Sequence, residues 1–221
     1  MKLSILLPVY NESASLETLL ARLLPINLDK EIIAVDDCST DNSALILEKY
    51  AGENFRVVRH ATNRGKGAAV RTALAHARGD YTIIQDADNE LDPNDIPRLL
   101  EPIQRGEAQV VYGARDLKVQ SVGNRLGNML LTLATNILFG IWIADMETCY
   151  KVMPTAIMRE LNLQANSFDI EPEITAKLAR ARHKIVEVPI SYHPRTKDKK
   201  LRPLREGLRA IRVLLYFRFK S

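Results

Sequence analysis

Apolar and polar positions follow two alternating periods along the first half of the chain. Short runs rich in Val and Ile read as strands: LSILLPV (3–9), EIIAVDD (31–37), FRVVRH (55–60), YTIIQDAD (81–88) and AQVVYGA (108–114). Between them SASLETLLARLL, DNSALILEKYA, GKGAAVRTALAHA and PNDIPRLLEPI carry apolar residues at helical spacing. Strand alternating with helix predicts an α/β fold with a mainly parallel central sheet flanked by helices. Ligands of such sheets sit beyond the carboxyl ends of the strands, where Asn11/Glu12, Asp36/Asp37 and Asp86/Asp88 all fall. Acidic residues converging on one edge from three strands make a candidate site.

The second half has a different pattern. Residues 126–144, LGNMLLTLATNILFGIWIA, form 19 positions without a charge, close to the length of a membrane span. A spanning helix would separate Arg125 from Asp145 by roughly 28 Å, too far for one compact site. The expectation is therefore a helix, or a helix pair broken near Gly140, lying in a membrane interface or packed on the sheet. FDIEPEITAKLARAR (168–182) predicts a helix begun near Pro172, and KIVEVPISY (184–192) a strand. In the tail, Leu204, Leu208, Ile211, Leu215 and Phe219 recur at spacings of three and four, with Arg205, Arg209, Arg212 and Arg218 on other faces. Such a basic amphipathic helix suits an anionic membrane surface, or else docks its apolar stripe on the core and leaves the arginines in water.

At 221 residues and 46% hydrophobic, without a linker-like or repetitive stretch, the chain is expected to form one domain over 1–221. Its two cysteines, Cys38 and Cys149, have neither disulfide-framework nor zinc-site spacing, which fits a reducing cytosolic setting. The opening MKLSILLPVYNE reads as a first strand rather than a signal peptide. From Arg195 onward ten Lys/Arg face two acidic residues, a local +8 in a chain of net +4, which leaves −4 for residues 1–194. The basic surface thus belongs to the tail. NRGKGAAV lacks the G-x-x-x-x-G-K-[ST] form, which argues against a simple ATPase.

The acidic run QDADNELDP admits a metal site, a calcium loop or a capped turn. With Asp86 as first position, Leu91 falls where a calcium loop needs Gly and Pro97 where it needs Glu, so that register fails. Asp92 or Asn94 can cap the helix beginning around Asp95. Asp86 and Asp88, alternate residues at a strand end, can both reach one Mg²⁺ or Mn²⁺.

PVYNE (8–12), VDDCSTDNS (35–43), NRGKGAAVRTALAHARGDY (63–81), DAD (86–88) and GAR (113–115), in this order, resemble the family 2 glycosyltransferases with the nucleotide-diphospho-sugar transferase (GT-A) fold. Arg125, DMETCYK, FDIEPEITAKLA and VEVPISYHPRT then resemble the polyprenyl-phosphate branch of that family, the dolichyl-phosphate mannose synthase-like enzymes. The resemblance implies a nucleotide-sugar half (1–115), an acceptor-side half (116–194), and an acceptor loop with a basic tail (195–221), the C-terminal half carrying interfacial amphipathic helices. It places Pro8, Tyr10, Glu12, Asp36 and Asp37 in the donor nucleoside pocket, Gly65 and Lys66 beside the nucleotide, and Asp169 and Glu171 near the sugar. Asp86, Asp88 and Glu90 match the set that holds Mg²⁺ or Mn²⁺, with Glu90 where Gln is common. Arg115 and Arg125 match arginines that hold the acceptor phosphate, Arg195 a mobile acceptor loop, and Met129 stands where Ser is frequent.

The implied activity is metal-dependent, inverting transfer of a hexose, mannose or glucose, from a GDP- or UDP-sugar to a dolichyl or undecaprenyl phosphate, with Asp86, Asp88, Arg115 and Arg125 catalytic. It would take place at the cytoplasmic membrane face, the protein being peripheral or interfacial; no nucleic-acid partner is expected. One alternative is a sugar-hydroxyl acceptor with Asp145 or Glu147 as base. Another is a catalytically silent nucleotide-binding membrane scaffold, which would have no physical need for paired metal carboxylates.

Overall fold

β1 (Leu3–Val9) is buried at all seven positions, because it lies inside the sheet and is covered on both faces. In the computed structural model, which describes residues 1–195 and 203–220 but not the side chains of 203–205, seven strands form one sheet. The others are β2 (Lys30–Asp36), β3 (Phe55–Arg59), β4 (Tyr81–Ile84), β5 (Val110–Arg115), β6 (Lys151–Pro154) and β7 (Ile185–Ile190), in the order β3-β2-β1-β4-β6-β5-β7. β1 pairs in parallel with β2 from Leu3↔Lys30 to Val9↔Asp36, and with β4 from Leu3↔Tyr81 to Leu6↔Ile84. β6 runs antiparallel to both β4 and β5, while β5 and β7 pair in parallel. The expected mainly parallel α/β sheet is therefore present, with one reversed strand that four residues of unpatterned sequence, KVMP, did not announce.

Helices cover the faces by burying the stripes that their sequences carry. α1 (Ser13–Leu23) buries Leu16, Leu19, Leu20 and Leu23. α2 (Ser43–Glu48) and α3 (Lys66–His76) follow β2 and β3, and α4 (Ile96–Gln104) buries Ile96, Leu99, Leu100 and Ile103. α3 approaches closely because its inner face is small: a Cβ at Gly67 would collide with the carbonyl of Ala165. Gly65, at φ +90, turns the chain into this helix. The core is continuous across both halves, joining Ile5, Leu20 and Ile83 to Val111, Met153, Ile174 and Leu214.

From β1 the chain steps outward through β2 and β3, then returns to the other side of β1 as β4. Such a reversal opens a crevice between the carboxyl ends of the two diverging strands, here β1 and β4. The segments after Val9 and Ile84 border it.

α5 (Val122–Phe139) is a single helix that stops at Gly140, whose φ of 65 and amide bond to the Asn136 carbonyl form a left-handed cap. Among the described residues no helix is long and apolar enough to cross a membrane. α5 is inside out: it buries Thr132, Thr135 and Asn136, while Leu126, Leu130 and Ile137 are 55%, 56% and 70% exposed. α6 (Thr155–Glu160), α7 (Ile170–Arg180) and α8 (Pro203–Phe219) complete the fold, α7 beginning two residues before Pro172. α8 packs against α5 and α7. The tail helix docks through Ala210, Leu214 and Phe217, while Leu208, Ile211, Leu215 and Phe219 of the predicted stripe are exposed, so of that stripe's two expected uses docking on the core is not the one seen; Leu204 lies outside the described side chains. Two apolar faces, not one, explain this: the row one position round the helix fits the groove beside α5 and α7.

Candidate active site

The turn after β1 is laced to the turn after β2. Asn11 donates its amide to Ser39 Oγ at 2.9 Å and accepts from the Thr40 amide at 2.8 Å. Asp36 accepts from the Ser39 amide at 3.1 Å and pairs with Arg59 at 3.0 Å. Asp37 accepts from the Arg64 and Gly65 amides at 2.8 and 2.7 Å, and its Oδ1 lies 2.6 Å from His60 Nδ1. Both carboxylates are thus engaged by the protein, and Asp37 fixes the loop that enters α3. Pro8 is buried in β1 beneath them, whereas Tyr10 is exposed at the crevice.

Beyond β4, Asp86 Oδ2 lies 2.7 Å from Lys66 Nζ, which also stands 3.1 Å from Glu171 Oε1 and over the Phe168 ring. Glu171 in turn holds Lys151, wholly buried, at 2.6 Å. The acidic start of α7 therefore neutralises two buried ammonium groups. Asp169, beside it, accepts from the Ser167 amide at 2.9 Å. Asp88 accepts from the Glu90 amide at 3.0 Å. Its carboxyl is pushed up to about 7 by burial and by the neighbouring charges of Asp86 and Glu90. Asp92 accepts from the Asn94 amide at 2.9 Å and so caps the short 3-10 turn Pro93–Asp95 that leads into α4, rather than α4 itself as expected.

Among the described residues no three metal-ligating side chains stand in a ready coordination set. Asp86 and Asp88 nevertheless fit a hard divalent cation: their crowding is the repulsion such an ion relieves, and Mg²⁺ or Mn²⁺ commonly takes one or two carboxylates plus substrate phosphate oxygens. Glu90 instead turns toward the incoming C-terminal segment, accepting from the Arg195 amide at 3.0 Å.

Arg195 reaches back across the crevice. Its Nε donates to the Asp88 carbonyl at 2.9 Å, and its guanidinium binds Ser15 Oγ and the Glu12 carboxylate. A bridge between Leu91 and Tyr192, and the His193 amide donating to the Glu90 carbonyl at 2.8 Å, hold this crossing in place. One cation thus gathers Glu12, the 88–90 turn and α1. Residues 196–200 of the expected acceptor loop lie outside the described residues.

Arg115, at the end of β5, donates Nε and Nη2 to the Asp145 carboxylate at 2.6 and 2.8 Å, with its guanidinium 5.1 Å from the Tyr192 ring centre. Desolvation, the largest single influence, lowers the pKa of Arg115, but the charge and hydrogen bonds of Asp145, with smaller contributions, together raise it. Asp145 itself is 1% exposed. A base role for Asp145 would require breaking this two-pronged pair before an acceptor proton could be taken. Arg125 is not part of the pair; it is exposed on the first turn of α5, and Met129 follows it on the outer stripe.

The buried polar face of α5 explains where Asp145 sits. Asn136 exchanges two hydrogen bonds with the backbone of Ile143, at 2.9 and 3.2 Å, and Thr132 Oγ1 accepts from the Met146 amide at 3.2 Å. Glu187 on β7 accepts from the Ala144 and Asp145 amides. Asp145 as counter-ion, Lys151 and Glu187 are site-building residues that sequence reasoning missed. The signal available was Lys151 itself, a lone ammonium inside an apolar run, which when buried demands a partner.

Acidic and cationic side chains converging at the carboxyl edge between β1 and β4 of a mainly parallel sheet define a nucleotide-diphospho-sugar transferase, or GT-A, fold. The chain trace is shared with glucosyl-3-phosphoglycerate synthase of Mycobacterium tuberculosis, crystallised with Mn²⁺, UDP-glucose and phosphoglyceric acid, at a TM-score of 0.76 and 22% identity over 98% of this chain and 79% of that one. Residues 4–161 match glycosyl transferase family 2, and the chain belongs to that family. Its relatives include the low-salt glycan biosynthesis hexosyltransferase Agl6 of Haloferax volcanii, 27% identical over 96% of this chain, and the dolichyl-phosphate beta-glucosyltransferase of Saccharomyces cerevisiae, 31% identical over 86%. The chain spans 53% and 66% of the length of these two relatives.

Proposed function

We propose that this protein transfers a hexose from a nucleoside-diphosphate sugar to a polyprenyl phosphate at a membrane surface. The observation that carries the reading is the carboxyl edge of the sheet, where Asp86 and Asp88 follow β4 and Arg115, paired with Asp145, ends β5. The diphosphate belongs at the carboxylate end, where Mg²⁺ or Mn²⁺ would supply charge neutralisation for the departing nucleoside diphosphate. Lys66, beside Asp86, adds a fixed positive charge to the same region. At and beyond the end of β5, Arg115 and Arg125 offer guanidinium donors to an acceptor phosphate. An ionised phosphate is already nucleophilic, so alignment suffices and no strong base is required. The yeast relative's name, which specifies dolichyl phosphate, supports the lipid acceptor, and the mycobacterial neighbour's bound UDP-glucose and Mn²⁺ support a UDP-sugar with a divalent ion.

The test is transfer from radiolabelled UDP-glucose, GDP-mannose and related donors, with Mn²⁺, to undecaprenyl or dolichyl phosphate and, in parallel, to free sugars. Organic-extractable label is the expected product. Label appearing solely on soluble sugars would overturn the lipid acceptor, and no transfer from any donor would favour the silent scaffold.

Membrane contact rests on the outward faces of α5 and α8, which pack side by side. Val122, Leu126, Met129, Leu133 and Ile137 form an exposed row on α5, with Trp142 84% exposed just beyond it. Leu208, Ile211, Leu215 and Phe219 form another on α8, next to exposed Arg212 and Arg218. Apolar area flanked by arginines is the composition that binds anionic lipid surfaces. The protein is expected to cosediment with phosphatidylglycerol vesicles, to bind them more weakly in high salt, and to lose most binding on Leu133→Asp with Ile137→Asp. Vesicle binding indifferent to those substitutions would remove α5 from the interface.

A further inference from the structure

The segment between Asp145 and Lys151 carries one carboxylate that the interactions described so far leave unused. Glu147 is half-buried, and its Oε1 is wholly covered without a hydrogen-bond partner among the described residues. Asp36 Oδ2 and Glu171 Oε1, also without hydrogen bonds, each lie at ion-pair distance from a cation, 3.0 Å from Arg59 and 3.1 Å from Lys66. Glu147 has no such pair among the described residues. Covered polar atoms in folded proteins are nearly always satisfied, and an exception calls for a cause.

Looseness is not the cause, because the backbone on both sides is tied down. The Met146 amide donates to Thr132, and the Lys151 ammonium donates to the carbonyls of Met146, at 3.0 Å, and Thr148. Nor do the nearby cations serve it. Arg115 directs Nε and Nη2 to Asp145, and Lys151 is occupied by Glu171 and those two carbonyls. Glu147 Oε1 is a firmly mounted acceptor that no donor among the described residues reaches.

Its charged neighbours belong both to the group linked to Asp86 and to the Arg115 pair, which indicates which donor. The charges that act on Glu147 are those of Lys151, Glu171, Arg115 and Asp145. Glu171 leads through Lys66 to Asp86, the diphosphate end, and Arg115 marks the acceptor-phosphate end. A hexose in transit lies between leaving diphosphate and incoming phosphate, and what it presents to its surroundings is hydroxyl groups. Burial pushes the Glu147 carboxyl up to about 7, so the uncompensated charge there is costly without a donor.

We propose that Glu147 reads the transferred sugar: its Oε1 accepts a hydrogen bond from a ring hydroxyl of the donor hexose, making Glu147 a determinant of sugar specificity. The inference rests on the glycosyl-transfer reading and assigns the sugar contact within it. A site built to bond a hydroxyl rejects a sugar that lacks it, because the acceptor is then left buried and unpaired.

Calorimetric titration with Mn²⁺ tests it, using UDP with UDP-glucose and GDP with GDP-mannose on wild type, Glu147→Gln and Glu147→Ala. For the pair that wild type binds, the sugar nucleotide is expected to weaken roughly tenfold in Glu147→Ala and less in the isosteric Glu147→Gln, the scale of one hydrogen bond to a charged group. The bare nucleoside diphosphate should bind all three proteins alike. Equal weakening of both ligands, or of neither, overturns the proposal. Unchanged sugar-nucleotide binding with a collapsed kcat would assign Glu147 to an acceptor proton instead, and so overturn it too. Wild type binding none of the four ligands would sink the glycosyl-transfer reading itself, an outcome distinct from loss of the sugar contact alone.

Discussion

Asp88→Asn is expected to lower sugar transfer by roughly 10²–10³-fold, the usual scale for removing one electrostatic contributor, without lowering the thermal midpoint. The side chain keeps its size and still offers an oxygen to the Glu90 amide, now 3.0 Å away. What disappears is a charge that the protein alone does not favour, since burial, Asp86 and Glu90 push the carboxyl up to about 7. A carboxyl raised in the folded state opposes folding when ionised, so neutralising it relieves strain while it removes a ligand for Mg²⁺ or Mn²⁺. Activity and stability should move apart. Transfer at the wild-type rate, in the variant or in wild type with excess chelator, would eliminate metal dependence through this residue.

Asp145→Ala should cost about 3–5 kcal/mol, because it leaves Arg115 with a charge in a largely covered site and no counter-ion. In a chain of this size that is a fall of roughly 6–20 °C in melting temperature. The double replacement Arg115→Met with Asp145→Leu should recover most of that stability, since an apolar pair of similar volume avoids both desolvation terms. It should not recover transfer, because the guanidinium proposed for the acceptor phosphate is gone. A base role for Asp145 predicts otherwise: Asp145→Ala would keep its melting temperature and lose only kcat. Calorimetric melting and transfer assays on the three proteins decide between these outcomes.

The strands and helices of the first half were legible because each is a local statement. Short apolar runs bounded by turn residues, and the Leu16–Leu20–Leu23 stripe, declare strand and helix locally, and Gly140 declares a helix end. β6 was not legible: four residues have no period, and its edges exist only because β4 and β5 leave a gap that an antiparallel strand fills. For α8 the sequence left two uses for its apolar stripe open, membrane or core, since both of its faces carry apolar residues and the groove beside α5 and α7 chose the inner one.

The same division runs through the site. Sequence by itself determined which chemical groups are available and at which strand ends: Glu12, Asp36, Asp37, Asp86, Asp88 and Arg115 each follow or finish a strand that its own residues specify. Tertiary structure alone decided who is paired with whom. Asp37 is spent on an α3 loop, Arg195 crosses 183 positions to Glu12, and Asp145, 30 positions from Arg115, is its counter-ion. Charge pairing depends on distances of a few ångströms in a poorly screened interior. Those distances are set by packing between segments remote in the chain, which no local pattern encodes.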